Sequence, residues 1–210
     1  DVIIGAYGFN DGANTQEGRA YIYYGSFSGL GSAPNNISDD ADQAGAMFGW
    51  SVACAGDVNG DGFCDVIIGA PYYNDGINDD EGRAFVYYGS ASGLSASPNS
   101  TPDDADQGLA SFGISVASAG DVNGDGYSDV IIGAFLYDDG ANSDEGRCFI
   151  YYGSTSGLSA TPGDVQDDAN QANSEFGYSV ASAGDVNGDG YSDVIIGAYS
   201  YDDGATVNEG

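Results

Sequence analysis

Residues 48–70 read FGWSVACAGDVNGDGFCDVIIGA, a stretch that recurs along the chain and decides the fold. It returns from Phe112 as FGISVASAGDVNGDGYSDVIIGA and from Phe176 as FGYSVASAGDVNGDGYSDVIIGA, 64 residues further on each time. Residues 1–6, DVIIGA, repeat its tail. Self-similarity at a fixed period is typical of solenoids and propellers. The predicted units are a partial first unit at 1–47, complete units at 48–111 and 112–175, and a partial last unit at 176–210.

Each complete unit is predicted to form four short strands. In the unit at 48–111 the first is SVACA, the second is DVIIGA and the third is RAFVYYG, and the fourth lies between the Ser-Gly-Leu turn and the next Phe-Gly. Strands two and three are β-branched or aromatic on both faces, which indicates that both faces are covered. This pattern predicts an all-β fold of tandem four-stranded propeller blades, three blades plus partial ends. An open β-solenoid is the alternative, although its rungs are usually shorter.

The two ends of the chain fall inside units. On this division the partial first unit carries strands two to four, and the partial last unit carries strands one and two. We therefore expect the chain to be an excerpt from a longer array of repeats. A further interpretation is that several chains assemble into a larger ring or filament.

The charge of the chain excludes several classes of function. Of its 210 residues, 33 are acidic, three are basic and none is histidine, so the net charge is −30. Nucleic-acid binding needs basic side chains that displace counterions from phosphates, and an anionic membrane surface repels such a chain. Histidine-dependent catalysis and lysine Schiff bases are excluded within these residues. No apolar run is long enough for a membrane-spanning helix, so we expect no membrane insertion.

The loop between strands one and two is the candidate metal site. It reads D-V-N-G-D-G-[FY]-[CS]-D, with oxygen-bearing side chains at positions 1, 3, 5 and 9 and an aromatic residue at position 7 that offers its backbone carbonyl. Ca²⁺ takes six to eight oxygen ligands of this mixed kind. The predicted ligands are Asp57, Asn59, Asp61, Phe63 and Asp65 in loop 1, Asp121, Asn123, Asp125, Tyr127 and Asp129 in loop 2, and Asp185, Asn187, Asp189, Tyr191 and Asp193 in loop 3.

Three alternatives compete with calcium at these loops. An EF-hand begins in the same way but needs a bidentate carboxylate at position 12, where this chain has Ile68, Ile132 or Ile196 inside a strand. A metal-free turn needs only one or two Asn or Asp residues beside Gly, whereas four oxygen ligands recur in each loop. Mg²⁺ prefers strict octahedral geometry and retained water. The sequence therefore favours one Ca²⁺ per loop.

Arginine and cysteine mark two further features. The three basic residues, Arg19, Arg83 and Arg147, occupy one repeat position after Glu-Gly, which favours a structural cation whose guanidinium grips carboxylates or carbonyls. An exposed anion-binding row is the alternative.

Cys54 and Cys64 flank loop 1 and are both serine in the other units, so we predict a disulfide, with two buried thiols as the alternative. Cys148 is predicted to be a buried free thiol.

Two acidic segments per unit have open interpretations. One is DDADQ (39–43 and 103–107) or DDANQ (167–171), and the other leads from NDG (74–76) or DDG (138–140) into Asp-Glu-Gly-Arg. They are either solvated loops or a second cation or protein-contact site.

The recurrent aromatic residues are predicted to anchor the core between blades. They are Phe48, Phe112 and Phe176 and the tyrosine pairs of strand three. For the tyrosines, a sugar-stacking platform is the alternative.

The combination of Phe-Gly, the D-x-N-x-D-G-x-x-D loop and Ile-Ile-Gly-Ala resembles the FG-GAP repeat. That repeat builds the seven-bladed propeller of integrin α-subunits and occurs in many bacterial and archaeal surface proteins, and the regular copies here resemble the prokaryotic members. The resemblance implies one blade per repeat, calcium in the loop between the first two strands, an extracellular setting and an adhesive or scaffolding role.

The expected function is therefore binding and not catalysis. Every notable polar group recurs once per unit, whereas an active site gathers dissimilar groups at one asymmetric place. We expect a calcium-stabilised, non-enzymatic propeller segment of a secreted or cell-surface protein that acts in adhesion, protein contact or self-assembly, with a protein or glycan ligand that the sequence does not identify. The alternative is a non-catalytic propeller part of a secreted hydrolase, lyase or phospholipase.

Overall fold

The fold is built from antiparallel strands. A computed structural model describes residues 1–103, 105–167 and 169–204, and it contains no helix within those ranges. Consequently, no helix with the length and hydropathy needed to cross a bilayer occurs in these ranges. The strands are β1 (Val2–Gly5), β2 (Ala20–Tyr23), β3 (Asn36–Ser38), β4 (Ser51–Gly56), β5 (Asp65–Ala70), β6 (Arg83–Tyr87), β7 (Phe112–Gly120), β8 (Asp129–Ala134), β9 (Arg147–Tyr151), β10 (Asp164–Gln166), β11 (Phe176–Gly184) and β12 (Asp193–Ala198).

The strands form four sheets, each made by consecutive strands. Sheet 1 is β1-β2-β3, sheet 2 is β4-β5-β6, sheet 3 is β7-β8-β9-β10 and sheet 4 is β11-β12. The pairing register repeats from sheet to sheet: Ile67 pairs with Val86 in sheet 2, as Ile131 pairs with Ile150 in sheet 3. The predicted first three strands of the unit are thus confirmed, and the all-β fold of blade-like sheets is the one expected from the repeats.

The sheets stack on one another, and the apolar core lies between them. β4 packs against β7, and β7 packs against β11. Ile68 belongs to the cluster between sheets 1 and 2, whereas its neighbour Ile67 belongs to the cluster between sheets 2 and 3. Successive strand residues point to opposite faces, so burial of both isoleucines at 0% exposure means that both faces of β5 are covered. This is the reason for the continuous apolar strand.

The Phe-Gly pair fixes each unit to the one before it. The backbone N–H of Phe112 donates to the carbonyl of Glu81 (2.7 Å), and Gly82 forms a parallel bridge with Phe112. The Phe112 ring is fully buried and lies 5.3 Å from the ring of Phe149. Phe48 and Phe176 occupy the equivalent places in the clusters on either side. The phenylalanines therefore anchor the core between sheets, as predicted.

The fourth strand differs between units. It is a three-residue strand in sheets 1 and 3, but in sheet 2 it is reduced to a bridge between Val86 and Ser100. Pro102 stands where sheet 1 has Ser38 and sheet 3 has Gln166. Proline has no N–H to donate to the ladder, which explains why the strand is truncated in this unit.

Candidate metal centre

The three acidic loops connect the first two strands of sheets 2, 3 and 4. Loop 1 follows β4 and ends where Asp65 begins β5, and a register shift between Cys54 and Gly56 marks the point where the hairpin widens. Gly60 and Gly62 have φ of +73° and +88°. Glycine adopts this left-handed region without the steric cost that a side chain brings, so the two glycines allow the chain to curl around its own carboxylates.

Two of the predicted ligands converge on one backbone amide in each loop. The N–H of Asp61 lies 3.0 Å from Oδ1 of Asp57 and 2.9 Å from Oδ1 of Asn59. Oδ2 of Asp57 accepts the N–H of Gly62 at 2.8 Å. Loops 2 and 3 repeat these contacts within about 0.1 Å. In loop 3 the N–H of Gly190 is the main cause that lowers the pKa of Asp185.

The aspartate at position 9 is buried and braces the hairpin. Asp65 is 0% exposed, its Oδ2 accepts the N–H of Val58 at 2.9 Å and its Oδ1 accepts the N–H of Gly89 at 2.7 Å. Asp129 makes the equivalent two bonds, and burial raises the pKa of both carboxyls. Oδ1 of Asp1 likewise accepts the N–H of Gly25 at 2.7 Å. This residue therefore joins the loop to the end of the third strand.

The donor set of each loop fits calcium in its chemistry. Asp57 and Asn59 already direct oxygens to one point, whereas Asp61 turns Oδ1 towards the N–H of Phe63 at 3.0 Å. In the described ranges no three Asp, Glu, Cys or His side chains are placed together as metal ligands, and the carboxylates of Asp57 and Asp61 bond N–H groups of their own loop. Mixed carboxylate, amide and carbonyl oxygens are the ligands that Ca²⁺ takes, and it would be held by the side chains at positions 1, 3, 5 and 9 with the carbonyl at position 7.

None of the three arginines lies at these loops. Nη2 of Arg19 contacts Asp39 at 2.5 Å and Asp11 at 3.3 Å, and its guanidinium lies 4.0 Å from the centre of the Phe9 ring. Arg83 and Arg147 make the equivalent ion pairs and ring contacts, to Asp75, Asp103 and Tyr73 and to Asp139, Asp167 and Tyr137. Each arginine thus joins the loop after strand two to the segment after strand four. The loops keep three carboxylates each and no basic partner.

The DDADQ segment connects consecutive units. Asp40 accepts the hydroxyl of buried Tyr87 at 2.6 Å. Gln43 accepts the N–H of Asn74 at 2.6 Å and donates to its carbonyl at 3.1 Å, and the pairs Gln107–Asp138 and Gln171–Asp202 repeat this. Asp104 and Asp168, which belong to the same predicted segments, lie outside the described residues. The segment therefore forms a contact between units. The feature of the sequence that could have indicated this contact is the recurrence of the segment before each Phe-Gly.

A buried glutamate in each of the first three units was missed by reasoning from the sequence. Glu17, Glu81 and Glu145 are each 1% exposed. The Asn78 amide donates to Glu81 at 3.1 Å, and Asn142 does the same for Glu145. Burial is the main cause that raises the pKa of Glu17 and Glu81. Their place before Gly-Arg recurs in the first three units, but recurrence alone does not distinguish a buried acid from an exposed one.

The cysteines flanking loop 1 are joined. Cys54 and Cys64 form a disulfide, with their Cα atoms 6.6 Å apart, so a covalent bridge closes the ends of the loop. Cys148 is a free thiol with 0% exposure, and burial raises its pKa. A thiolate nucleophile is therefore disfavoured at Cys148.

Comparison with known proteins agrees with this architecture. The FG-GAP repeat model matches residues 48–87, 112–147 and 176–209. Integrin alpha-IIb of Mus musculus is 35% identical over 162 residues, which cover 75% of this chain and 15% of the relative. Integrin alpha-6 of Gallus gallus is 34% identical over 159 residues (74% and 14%), and integrin alpha-7 of Homo sapiens is 36% identical over 159 residues (72% and 12%). The chain thus spans 12–15% of the length of these relatives. With its antiparallel blade-like sheets and these matches, the chain belongs to the FG-GAP repeat family.

Proposed function

We propose that this chain is a calcium-stabilised, non-catalytic propeller segment that acts in adhesion or protein interaction. The observation that supports calcium is the distribution of charge. The chain has only three basic side chains, and all three pair with aspartates away from the acidic loops. Nine loop aspartates are left without a basic partner, and a bound dication per loop offsets the repulsion between them.

The repetition of polar groups supports binding over catalysis. The aspartate loop, the arginine ion pair and the glutamine contact recur from unit to unit. A catalytic site gathers dissimilar groups at one place, whereas these polar groups repeat in the same form from unit to unit. The relatives named above are integrin alpha chains, which favours an adhesive role for these repeats too. We propose the same unit boundaries, 48–111 and 112–175, for the blades.

We propose an extracellular or cell-surface location. A disulfide persists in an oxidising compartment, and loop 1 is closed by one. Outside the cell calcium is plentiful enough to fill sites built from three carboxylates and an amide. The negative charge that remains on the surface keeps the protein soluble and favours a ligand, protein or glycan, that carries no strong negative charge.

Thermal unfolding with and without calcium tests this proposal. A ligand that binds only the folded state raises stability, by about 2.7 kcal/mol for each site at one hundred times its Kd. Melting followed by circular dichroism, with calcium at about one hundred times the Kd, should occur many degrees above melting in excess EDTA. The same magnesium concentration is the control. Superimposed curves with calcium and with EDTA would contradict the proposal.

A further inference from the structure

Loops 1 and 2 contact one another through their backbones. The N–H of Ser128, at position 8 of loop 2, donates to the carbonyl of Asp57 at 3.0 Å. In return, the N–H of Asp57 donates to Oγ of Ser128 at 3.2 Å. Both backbone polar groups of a predicted calcium ligand in one loop are therefore held by a single residue of the next loop.

The same contact joins loops 2 and 3. The N–H of Ser192 donates to the carbonyl of Asp121 at 2.8 Å, and the N–H of Asp121 donates to Oγ of Ser192 at 3.2 Å. The repetition of both bonds in the next pair of units shows that the contact belongs to the stacking of the units. In the sequence this serine stands out only because it occupies the position of Cys64 in the other units, and that comparison does not predict the contact.

An aromatic ring adds a packing contact between neighbouring loops. A Cβ built on Gly60 would lie 2.5 Å from Cε1 of Tyr127, and one built on Gly124 would lie 2.5 Å from Cε1 of Tyr191. The ring at position 7 of loops 2 and 3 thus rests on the glycine at position 4 of the loop before it. Position 7 is also the residue whose carbonyl is a predicted calcium ligand, so the same residue serves two loops.

We propose that the calcium sites of adjacent loops are energetically coupled, so that occupation of one loop raises the calcium affinity of its neighbour. This inference rests on the proposed calcium binding. Tyr127 and Ser128 lie between two predicted ligands of loop 2, Asp125 and Asp129. Calcium in loop 2 fixes this segment, and the segment fixes the backbone of Asp57 in loop 1. Coupling between binding sites is reciprocal, so calcium in loop 1 strengthens loop 2 equally.

A calcium titration followed by NMR resolves the loops separately. The amide of the position-6 glycine donates to the first aspartate in every loop, in the pairs Gly62–Asp57, Gly126–Asp121 and Gly190–Asp185, so these three amides report one loop each. Asp125→Ala removes a ligand of loop 2 and touches no other loop in the contacts described. It should raise the calcium concentration at half-saturation of Gly62 by about fivefold or more, the lower end of usual coupling.

Two serine variants test whether the named contact carries the coupling. In a Ser128→Ala background the effect of Asp125→Ala on Gly62 should shrink. The matched variant Ser192→Ala, at the equivalent position between loops 2 and 3, should leave that effect unchanged. Asp189→Ala gives a second measurement, since it should weaken calcium binding at Gly126 if Asp125→Ala fails to fold.

The outcomes separate this inference from the proposed function. One outcome is that calcium shifts the amide signals of all three glycines, but Asp125→Ala changes the calcium concentration at half-saturation of Gly62 by less than about twofold. That outcome would overturn the coupling and leave calcium binding intact. The absence of a calcium-dependent shift at every one of these glycines in the wild-type protein would overturn calcium binding and the coupling with it. An equal effect of Ser128→Ala and Ser192→Ala would overturn the role of the Ser128–Asp57 contact.

Discussion

Replacement of Gly133 by alanine tests how closely the sheets stack. Gly133 is the glycine of Ile-Ile-Gly-Ala in β8, and a Cβ built there would lie 2.0 Å from the carbonyl oxygen of Gly177 in the next sheet. Real Cβ atoms do not approach a neighbour closer than about 3.0 Å, so sheets 3 and 4 would have to separate locally. Overpacking of a core costs about 1–3 kcal/mol of stability. Because backbone atoms move aside less readily than a side chain, we expect Gly133→Ala to lower the free energy of unfolding by about 3 kcal/mol.

The repeat supplies a matched control for this variant. Gly197 has the same neighbours in sequence, but the one close approach of a Cβ there is to the side-chain Oγ of Ser179 at 2.6 Å, and the backbone oxygen of Ser179 lies 3.8 Å away. Gly197→Ala should therefore change stability by less than about 0.5 kcal/mol. Urea unfolding followed by circular dichroism measures both. Equal midpoints for the two variants would refute the close approach of the sheets, whereas Gly69→Ala, which meets Gly113 at 2.0 Å, should behave like Gly133→Ala.

Three further predictions concern single buried or partly buried polar side chains. Arg83→Met leaves two carboxylates without their cation and should lower the free energy of unfolding by about 1–3 kcal/mol, measured in urea. Tyr87→Phe removes the hydroxyl bonded to Asp40 and should cost about 1–2 kcal/mol; Tyr23→Phe, at the same repeat position and partly exposed, should be near neutral. Glu81 has a raised pKa in the folded protein, so its ionised form destabilises the fold at neutral pH. Wild-type protein should gain stability relative to Glu81→Gln as pH falls from 7 through the folded pKa towards the ordinary 4.5, and level off below it; urea midpoints in EDTA that keep a constant difference would contradict this.

Much of the fold follows from the sequence because each local pattern occurs in several copies of the repeat. The apolar faces of Ile67 and Ile68 require a covering layer on each side, and the regular spacing supplies that layer in the form of the neighbouring unit. The convergence of Asp57 and Asn59 likewise follows from alternate spacing around Gly60. These features depend on local pattern, and the pattern is present in every copy.

The polar contacts between units could not be predicted in the same way. The sequence leaves the segment of Asp40 and Gln43 open between a solvated loop and a second cation or protein-contact site, and only the stacking of the units places these residues against Tyr87 and Asn74. The link from Ser128 to Asp57 spans 71 residues, and no local pattern specifies it. The truncated fourth strand is an intermediate case. The sequence shows that Pro102 has no N–H to donate, but it does not show which residue of the third strand lies opposite Pro102.

The count of bound calcium ions tests the central claim most directly. Isothermal titration of calcium into protein treated with EDTA and dialysed should give three ions per chain, one for each complete aspartate loop. The triple variant Asp57→Asn, Asp121→Asn and Asp185→Asn removes the first carboxylate of every loop and should abolish this binding, because each loop then loses a charged ligand. A wild-type chain that binds no calcium, or a triple variant that binds as the wild type does, would contradict the account.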